Sequence, residues 1–90
     1  MKNIKKKYFK VPSKIFDLKL DNNTLALYVF LHFSANSKKE IYGTRKYFAD
    51  EIGIGINTIV KAFQNLKKLG LIEEFIELGK PTTIYLKNID

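Results

Sequence analysis

Ninety residues are expected to form one domain, because two domains of half that length would each be too small to bury a core. Hydrophobic residues make up 46% of the chain and aromatic residues 13%, which is too apolar a composition for a disordered protein. The absence of cysteine excludes disulfides and thiolate metal sites, and it fits a reducing, cytoplasmic location.

The net charge of +7 is unevenly distributed. Residues 1–10 contain five lysines and no acid, so residues 11–90, with eleven basic and nine acidic side chains, carry only +2. We therefore divide the chain into a basic N-terminal arm, residues 1–10, and a folded domain, residues 11–90. A basic arm on a nearly neutral domain suits a polyanionic partner, although a solvated tail that only aids solubility would have the same composition.

The sequence contains no segment that we expect to enter a membrane. After Lys7 the chain continues Tyr8-Phe9-Lys10, without the apolar stretch of a signal peptide. The longest apolar run, Leu25 to Leu31, is far shorter than the roughly 20 residues that cross a bilayer. We expect no membrane partner.

The first predicted elements are helices. Pro12-Ser13 opens a short helical segment, and Asp21 is a suitable N-cap for a longer helix that runs to about Ser37. That longer helix is apolar on nearly every side, through Leu25, Leu27, Tyr28, Val29, Phe30, Leu31 and Phe33. Such a helix is either the centre of a domain or partly a subunit interface, and in so small a domain we expect a central helix with some dimer contact.

A short strand, Ile41-Tyr42, is followed by two helices separated by a glycine. Thr44 can cap a helix from about Arg45 to Ile52, and Gly53 ends it. A further helix runs from about Ile56 to Leu69.

The C-terminal part of the sequence predicts a β-hairpin. Gly70 supplies the left-handed residue that often ends a helix. Residues 71–77 and 82–86 form strands on either side of turn-forming residues 78–81. Together the elements predict an α+β fold, with about three main helices and a small antiparallel sheet that ends in this hairpin.

The turn at Gly53 determines how its two helices cross. Ala49 must be small where the second helix passes close by, and Gly53 adopts backbone angles that a side chain would hinder. Ile54 and Ile59 fill the angle between the helices, while Leu66 faces the core. So short a turn makes the helices cross steeply, which leaves the second helix exposed enough to enter a DNA major groove about 12 Å wide.

Three stretches of the sequence carry a resemblance. They are Phe48-Ala49-Asp50-Glu51-Ile52-Gly53-Ile54, Asn57-Thr58-Ile59-Val60-Lys61-Ala62-Phe63 and Leu66-Lys67-Lys68-Leu69-Gly70-Leu71-Ile72. Their spacing of small residues, glycines and isoleucines resembles the winged helix-turn-helix of bacterial regulators and of phage and plasmid replication proteins. The resemblance extends over about Asp21 to Leu86 and specifies the fold rather than a subfamily.

This resemblance implies that the helix beginning near Ile56 reads DNA and that the turn between the last two strands is the wing. The implied contacts on the reading helix are Asn57, Thr58, Lys61, Gln64 and Lys68. Asn and Gln can pair with adenine, and lysine can reach guanine or a phosphate. Thr44 and Arg45 begin the preceding helix, where such folds touch phosphate, and Lys80 lies at the wing tip.

Two departures from the family pattern suggest that the N-terminal arm supplies a larger share of the DNA affinity. Gly55 stands where a serine cap is usual, and Ile56 and Val60 are apolar where polar readers are common. We therefore expect Lys5, Lys6 and Lys7, together with Lys80, to supply much of the affinity. Each lysine on the reading helix could also belong to a solvated face.

An enzyme is not expected. His32 is the only histidine and lies within an apolar helix, so no second histidine or cysteine completes a metal site or a catalytic triad. Asp50-Glu51 and Glu73-Glu74 are adjacent pairs, and neighbours on a helix or strand point in different directions. Glu73, Glu74 and Glu77 are expected to form an acidic strand that points away from DNA. No Gly-rich phosphate loop is present, and no cofactor, metal or small-molecule substrate is expected.

The expected function is therefore binding of double-stranded DNA at specific sites. The resemblance favours an accessory protein at a plasmid or phage replication or transfer origin. A small transcriptional regulator that occupies an operator is the first alternative, and a winged-helix protein-interaction module, supported by Ile56 and Val60, is the second. Homodimers and tandem binding on repeated sites both remain open.

Overall fold

The computed structural model describes residues 9–80 and 82–87. In this part of the chain a 3-10 helix, Ser13–Leu18, precedes three α-helices and three strands. In chain order these are α1 (Asn22–Ser34), β1 (Glu40–Tyr42), α2 (Arg45–Ile52), α3 (Ile56–Lys68), β2 (Ile72–Phe75) and β3 (Thr83–Leu86). The predicted α+β fold and its order of elements are confirmed, while Lys5, Lys6 and Lys7 lie outside the described residues.

Side-chain caps begin α1 and α2 at the predicted residues. The Asp21 carboxylate accepts a hydrogen bond from the Thr24 backbone N–H at 3.3 Å and another from the Thr24 hydroxyl at 2.6 Å. At the start of α2, the Thr44 hydroxyl accepts the Tyr47 N–H at 3.0 Å. Each cap satisfies a donor that the first helical turn leaves free.

The end of α1 was predicted three residues too late, at about Ser37. The helix stops at Ser34 because Asn36 binds the backbone of the following turn. Its side-chain oxygen accepts the N–H groups of Lys38 and Glu40, at 2.9 and 3.0 Å. This local alternative to the helical hydrogen bonds turns the chain directly into β1.

Left-handed glycines end the two later helices, as predicted. Gly53 has φ 86° and its N–H donates to the Ala49 carbonyl at 2.8 Å. Gly70 has φ 74°, and the hydrogen bond from Leu71 N to Leu66 O closes the last turn of α3.

The three strands form one antiparallel sheet in the order β1-β3-β2. Ile41 pairs with Ile84, and Ile72 pairs with Leu86, so these four apolar residues share the face that turns toward the helices. Strand β2 ends at Phe75, two residues before its predicted end, and β3 begins at Thr83. We call the connecting loop, residues 76–82, the wing; its Pro81 is outside the described residues.

The core lies where α3 packs between α1 and the sheet. Its fully buried side chains come from all three layers, namely Leu27, Tyr28 and Leu31 of α1, Phe48 of α2, Ile59, Phe63 and Leu66 of α3, and Ile84 of β3. Ile54 is half-buried against the core, whereas Gly53 is exposed and serves the turn through its backbone alone.

A second apolar side of α1 faces away from this core. Leu25, Ala26, Val29 and Phe33 line an open groove of about 560 Å³, and Phe9 lies edge-on to Phe33 with ring centroids 5.6 Å apart. The groove is consistent with the dimer contact expected for α1, which stays a prediction.

A glycine substitution series tests the turn between α2 and α3. Gly53→Ala places a side chain at a left-handed residue and should cost roughly 1–2 kcal/mol of unfolding free energy. Gly55→Ser is the matched control, since Gly55 has φ −69° and caps α3 without a side-chain hydrogen bond. That variant should gain a few tenths of a kcal/mol. Urea melts of both variants measure the difference, and equal stabilities would contradict this account of the turn.

Candidate nucleic-acid interface

Helix α3 has one apolar side and one polar side. Ile59, Ala62, Phe63 and Leu66 are buried, with relative exposures of at most 1%. The side chains farthest around the helix from them are Asn57, Lys61, Gln64 and Lys68, all exposed. Their spacing of four, three and four residues aligns them in one row along the helix. We call these four residues the polar stripe.

The flanks of the polar stripe are less polar. Thr58 is half-buried on one flank, so it is less accessible than the other predicted reading residues. On the other flank Ile56 is 46% exposed and Val60 is half-buried. The polar stripe therefore has a centre of two amides and two lysines, with less polar residues on both flanks.

Helix α3 is connected to the start of α1 by a polar contact. The Asn65 amide donates to the Thr24 hydroxyl at 3.1 Å and approaches Asp21 Oδ1 at 3.5 Å. The Thr24 hydrogen bonds lower the pKa of Asp21 against the opposing effect of its burial. This contact restrains rotation of α3 about its own axis, which would move the polar stripe.

The two predicted phosphate contacts at the start of α2 have intramolecular partners. The Thr44 hydroxyl caps the helix, as described above. The guanidinium of Arg45 donates to Glu74 Oε1 at 2.7 Å and lies 3.8 Å from the centroid of the Phe63 ring. Both residues remain predicted DNA contacts, but Arg45 would have to leave two partners to reach a phosphate.

Arg45 belongs to a cluster of three charges that joins α2, α3 and β2. Lys67 Nζ lies 2.9 Å from the same Glu74 oxygen that Arg45 binds. The Glu74 side chain is only 5% exposed, while those of Arg45 and Lys67 are 29% and 45% exposed. We call Arg45, Lys67 and Glu74 the Glu74 cluster.

The expectation that Glu73, Glu74 and Glu77 form one acidic strand is wrong for Glu77, because β2 ends at Phe75, and their orientation away from DNA stays a prediction. Strand residues alternate between faces, and Glu74 lies on the same inner face as buried Ile72. Glu73 points outward and binds Lys87, and Glu77 in the wing lies 3.1 Å from Lys80 Nζ.

The wing turn presents Lys80 to solvent. Its backbone N–H donates to the Glu77 carbonyl at 3.1 Å, and Gly79 takes φ 77° within this turn. The side chains of Lys80 and Glu77 are both about two-thirds exposed, so their ion pair is weak and Lys80 can exchange it for another anion.

The described residues do not form a metal-binding cluster. No group of three or more histidine, cysteine, aspartate or glutamate side chains is placed to share a metal ion there. His32 is half-buried beside Tyr28, with ring centroids 4.6 Å apart, and burial together with the charge of Lys39 lowers its pKa. None of the described helices has the length and apolar character of a membrane span.

Comparison with known proteins identifies the fold. No protein-family model matches the sequence, and a search of curated proteins finds no match. A solved structure described as "Structure of Rep-DNA complex" superposes with a TM-score of 0.68 at 16% identity, over 91% of this chain and 75% of the other. A second, "N-Terminal domain of DNA binding protein", gives a TM-score of 0.67 at 18% identity over the same shares.

A MarR family regulator from Neisseria meningitidis is also similar, with a TM-score of 0.56 and 19% identity. It matches 82% of this chain, which spans about half of the regulator's length. All three neighbours are of winged-helix type. The fold is a winged helix-turn-helix. At these identities the likeness establishes the fold alone, with α2 and α3 as the helix-turn-helix and residues 76–82 as the wing.

The winged helix brings some of the predicted site residues together and separates others. Asn57, Lys61, Gln64 and Lys68 form one row on α3, whereas Lys80 lies on a different element and Thr44 and Arg45 have structural partners. Sequence reasoning missed the inward position of Glu74. The signal was available, because a strand that buries Ile72 must turn the residue two positions later toward the same side.

The Glu74 cluster predicts a loss of stability in acid. Burial raises the pKa of Glu74, but the hydrogen bonds and charges of Arg45 and Lys67 outweigh it and leave the pKa below its usual 4.5. The carboxylate thus stabilises the folded chain above about pH 4.5, and this contribution disappears as the pH falls through the lower folded-state pKa. Urea melts over this pH range should show that the free energy of unfolding falls more steeply with decreasing pH for the wild type than for Glu74→Gln. The Gln side chain has no carboxylate to protonate. Parallel pH profiles would contradict the prediction.

Proposed function

We propose that this chain binds double-stranded DNA at specific sites without catalysing a reaction. The observation that carries the proposal is the polar stripe, which is aligned on the side of α3 opposite the core. An α-helix with exposed amides and lysines in one row matches the width of the major groove and the hydrogen-bonding edges of its bases. Asn57 and Gln64 would contact bases, while Lys61 and Lys68 would contact phosphates or guanine.

The charges around α3 support a polyanionic partner. Helix α3 contains Lys61, Lys67 and Lys68 and no acidic residue. Lys67 and Lys68 lie in its last turn, where their positive charges also interact favourably with the negative end of the helix dipole. The lysines of the arm, Lys5 to Lys7, and Lys80 in the wing would add contacts to the backbone on either side of the groove.

The biological use that we propose is an accessory role at a plasmid or phage replication or transfer origin. The similarity to the structure described as a Rep-DNA complex, over 91% of this chain, supports this use. The similarity to a MarR family regulator supports the alternative, a small transcriptional regulator acting at an operator. Footprinting on the DNA that carries the gene distinguishes the two uses. An origin protein should protect repeats beside a nick site or replication origin, whereas a regulator should protect a promoter.

A protein-interaction module is the alternative from another class. Ile56, at 46% exposure, gives the flank of α3 an apolar character that such a module would use. It predicts no salt-dependent binding to any duplex. Fluorescence anisotropy with random-sequence and genomic fragments at low ionic strength decides between the two, and selection of bound fragments supplies the site for the tests below.

Substitutions in the polar stripe and in the wing should separate base contacts from phosphate contacts. Gln64→Ala should cost about 1–3 kcal/mol on the selected site and relax preference at one base pair, because its amide has both a donor and an acceptor for adenine. Lys80→Ala, at an exposed lysine of the wing, is the control and should weaken all sequences alike. Anisotropy titrations on the site and on single-base variants measure both. An equal loss from Gln64→Ala on every sequence would contradict base contact.

The salt dependence of binding tests the contribution of the arm. If about six lysines neutralise phosphates, log Kd should change with log salt concentration with a slope of magnitude about 5. Deleting residues 2–7 should reduce that magnitude by about 3 if Lys5, Lys6 and Lys7 contact phosphates. An unchanged affinity and slope after the deletion would exclude the arm from the interface.

A further inference from the structure

On its β2 side the wing is attached to the helices by few side chains, while on its β3 side Ile84, the cross-strand partner of Glu74, is fully buried. Strand β2 turns two residues inward, Ile72 and Glu74, and Ile72 is the only apolar one. Beyond Glu74 the chain is exposed, with Phe75 at 55%, Ile76 at 79% and Leu78 at 103% relative exposure. Among the described residues of β2, Glu74 is thus the inward contact nearest the wing.

The Glu74 cluster reaches both helices of the helix-turn-helix. Glu74 Oε1 binds Arg45, the first residue of α2, and Lys67, the penultimate residue of α3. Arg45 in turn lies over the ring of Phe63, which is fully buried in the core. A displacement of β2 would break two charged contacts to a carboxylate that is only 5% exposed, although both cations keep access to water.

These contacts relate the position of the wing to the position of the polar stripe. Lys67 and Lys68 are neighbours on α3, and Lys68 belongs to the stripe. Glu74 and Lys80 are separated only by the end of β2 and the first part of the wing. The carboxylate of Glu74 is therefore a side-chain link between α3 and the strand that leads into the wing.

We propose that Glu74 is a positioning residue for DNA binding, which fixes the wing relative to α3 by binding Arg45 and Lys67. The inference rests on the proposed DNA binding and extends it to a residue that touches no DNA. In this proposal, the restraint on the wing holds Lys80 where it and the polar stripe can contact the same duplex. In the free protein Arg45 and Lys67 serve this role, and Arg45 would have to leave Glu74 to contact a phosphate.

The matched pair Glu74→Gln and Glu73→Gln tests the proposal by the sign of the effect. Each variant removes one negative charge from β2, and simple electrostatics predicts slightly tighter DNA binding for both. Glu73 is 50% exposed on the outer face, so its variant should tighten binding by less than about twofold. Glu74→Gln should instead weaken binding about five- to tenfold, because Lys80 loses its position and its phosphate contact.

A double-variant cycle with Lys80 identifies the route of the effect. Lys80→Ala should weaken binding in the wild type and in Glu73→Gln, but should add little to Glu74→Gln, where the wing contact is already lost. Independent, additive effects of Glu74→Gln and Lys80→Ala would overturn the proposal. So would a Glu74→Gln variant that tightens binding as Glu73→Gln does.

A measurement without DNA distinguishes failure of this inference from failure of the proposed function. Amide hydrogen exchange of Lys80, whose N–H donates to the Glu77 carbonyl within the wing, should accelerate in Glu74→Gln and stay unchanged in Glu73→Gln, while the amides of α3 between Ile59 and Leu66 keep their protection. A uniform loss of protection would show a merely structural role. Lys67→Gln, at a 45% exposed side chain, is a second variant that should fold normally and accelerate the Lys80 amide to a smaller extent. Unchanged wing exchange in both variants would refute the positioning role even if the wild type binds DNA.

Discussion

The burial of one side of α3 is the interaction on which the rest of the structure depends. Ile59, Phe63 and Leu66 have no exposure, and they pack between α1 and the sheet. Removing these side chains from water favours the fold by about 1.5–3 kcal/mol for each residue before entropy is subtracted. The same burial fixes the helix in rotation, so the opposite row of residues must face solvent.

Polar contacts refine what the apolar core determines. Asn65 binds Thr24 at the start of α1, and Lys67 binds Glu74 on β2, on two different sides of α3. Apolar packing tolerates small rotations and slides, whereas hydrogen bonds are sensitive to both distance and angle. The helix that carries the polar stripe is thus restrained by directional contacts on the flanks of its buried side.

The sequence predicted most of the fold because the signals that begin and end its helices are local. Asp21 and Thr44 cap the helices that follow them, and Gly53 and Gly70 take the left-handed angles expected of them. The end of α1 was missed because the competing hydrogen bonds of Asn36 depend on the turn that leads into β1. Local patterns find caps well, but they do not show which of two local structures a side chain will join.

The candidate site was less predictable because charge has no inherent direction in a sequence. Arg45 was expected to face DNA and Glu74 to face away from it, yet each is the other's partner across 29 positions of the chain. Only the pairing of β2 with β3, and the packing of β2 against α3, brings these residues together. The row of Asn57, Lys61, Gln64 and Lys68 was predictable, since helical periodicity alone places it opposite the apolar residues.

The proposed attachment of the wing through a carboxylate has a particular consequence for charge. An apolar anchor at position 74 would also bury surface, but it would leave the cations Arg45 on α2 and Lys67 on α3 without this partner. Such cations attract any phosphate and add affinity without sequence preference. Under the proposed DNA binding, Glu74 would remove two nonspecific phosphate contacts by binding both cations, and would order the wing in the same step. The sequence specificity of a DNA interface thus depends on which cations are kept from contacting phosphates as well as on which side chains contact the DNA.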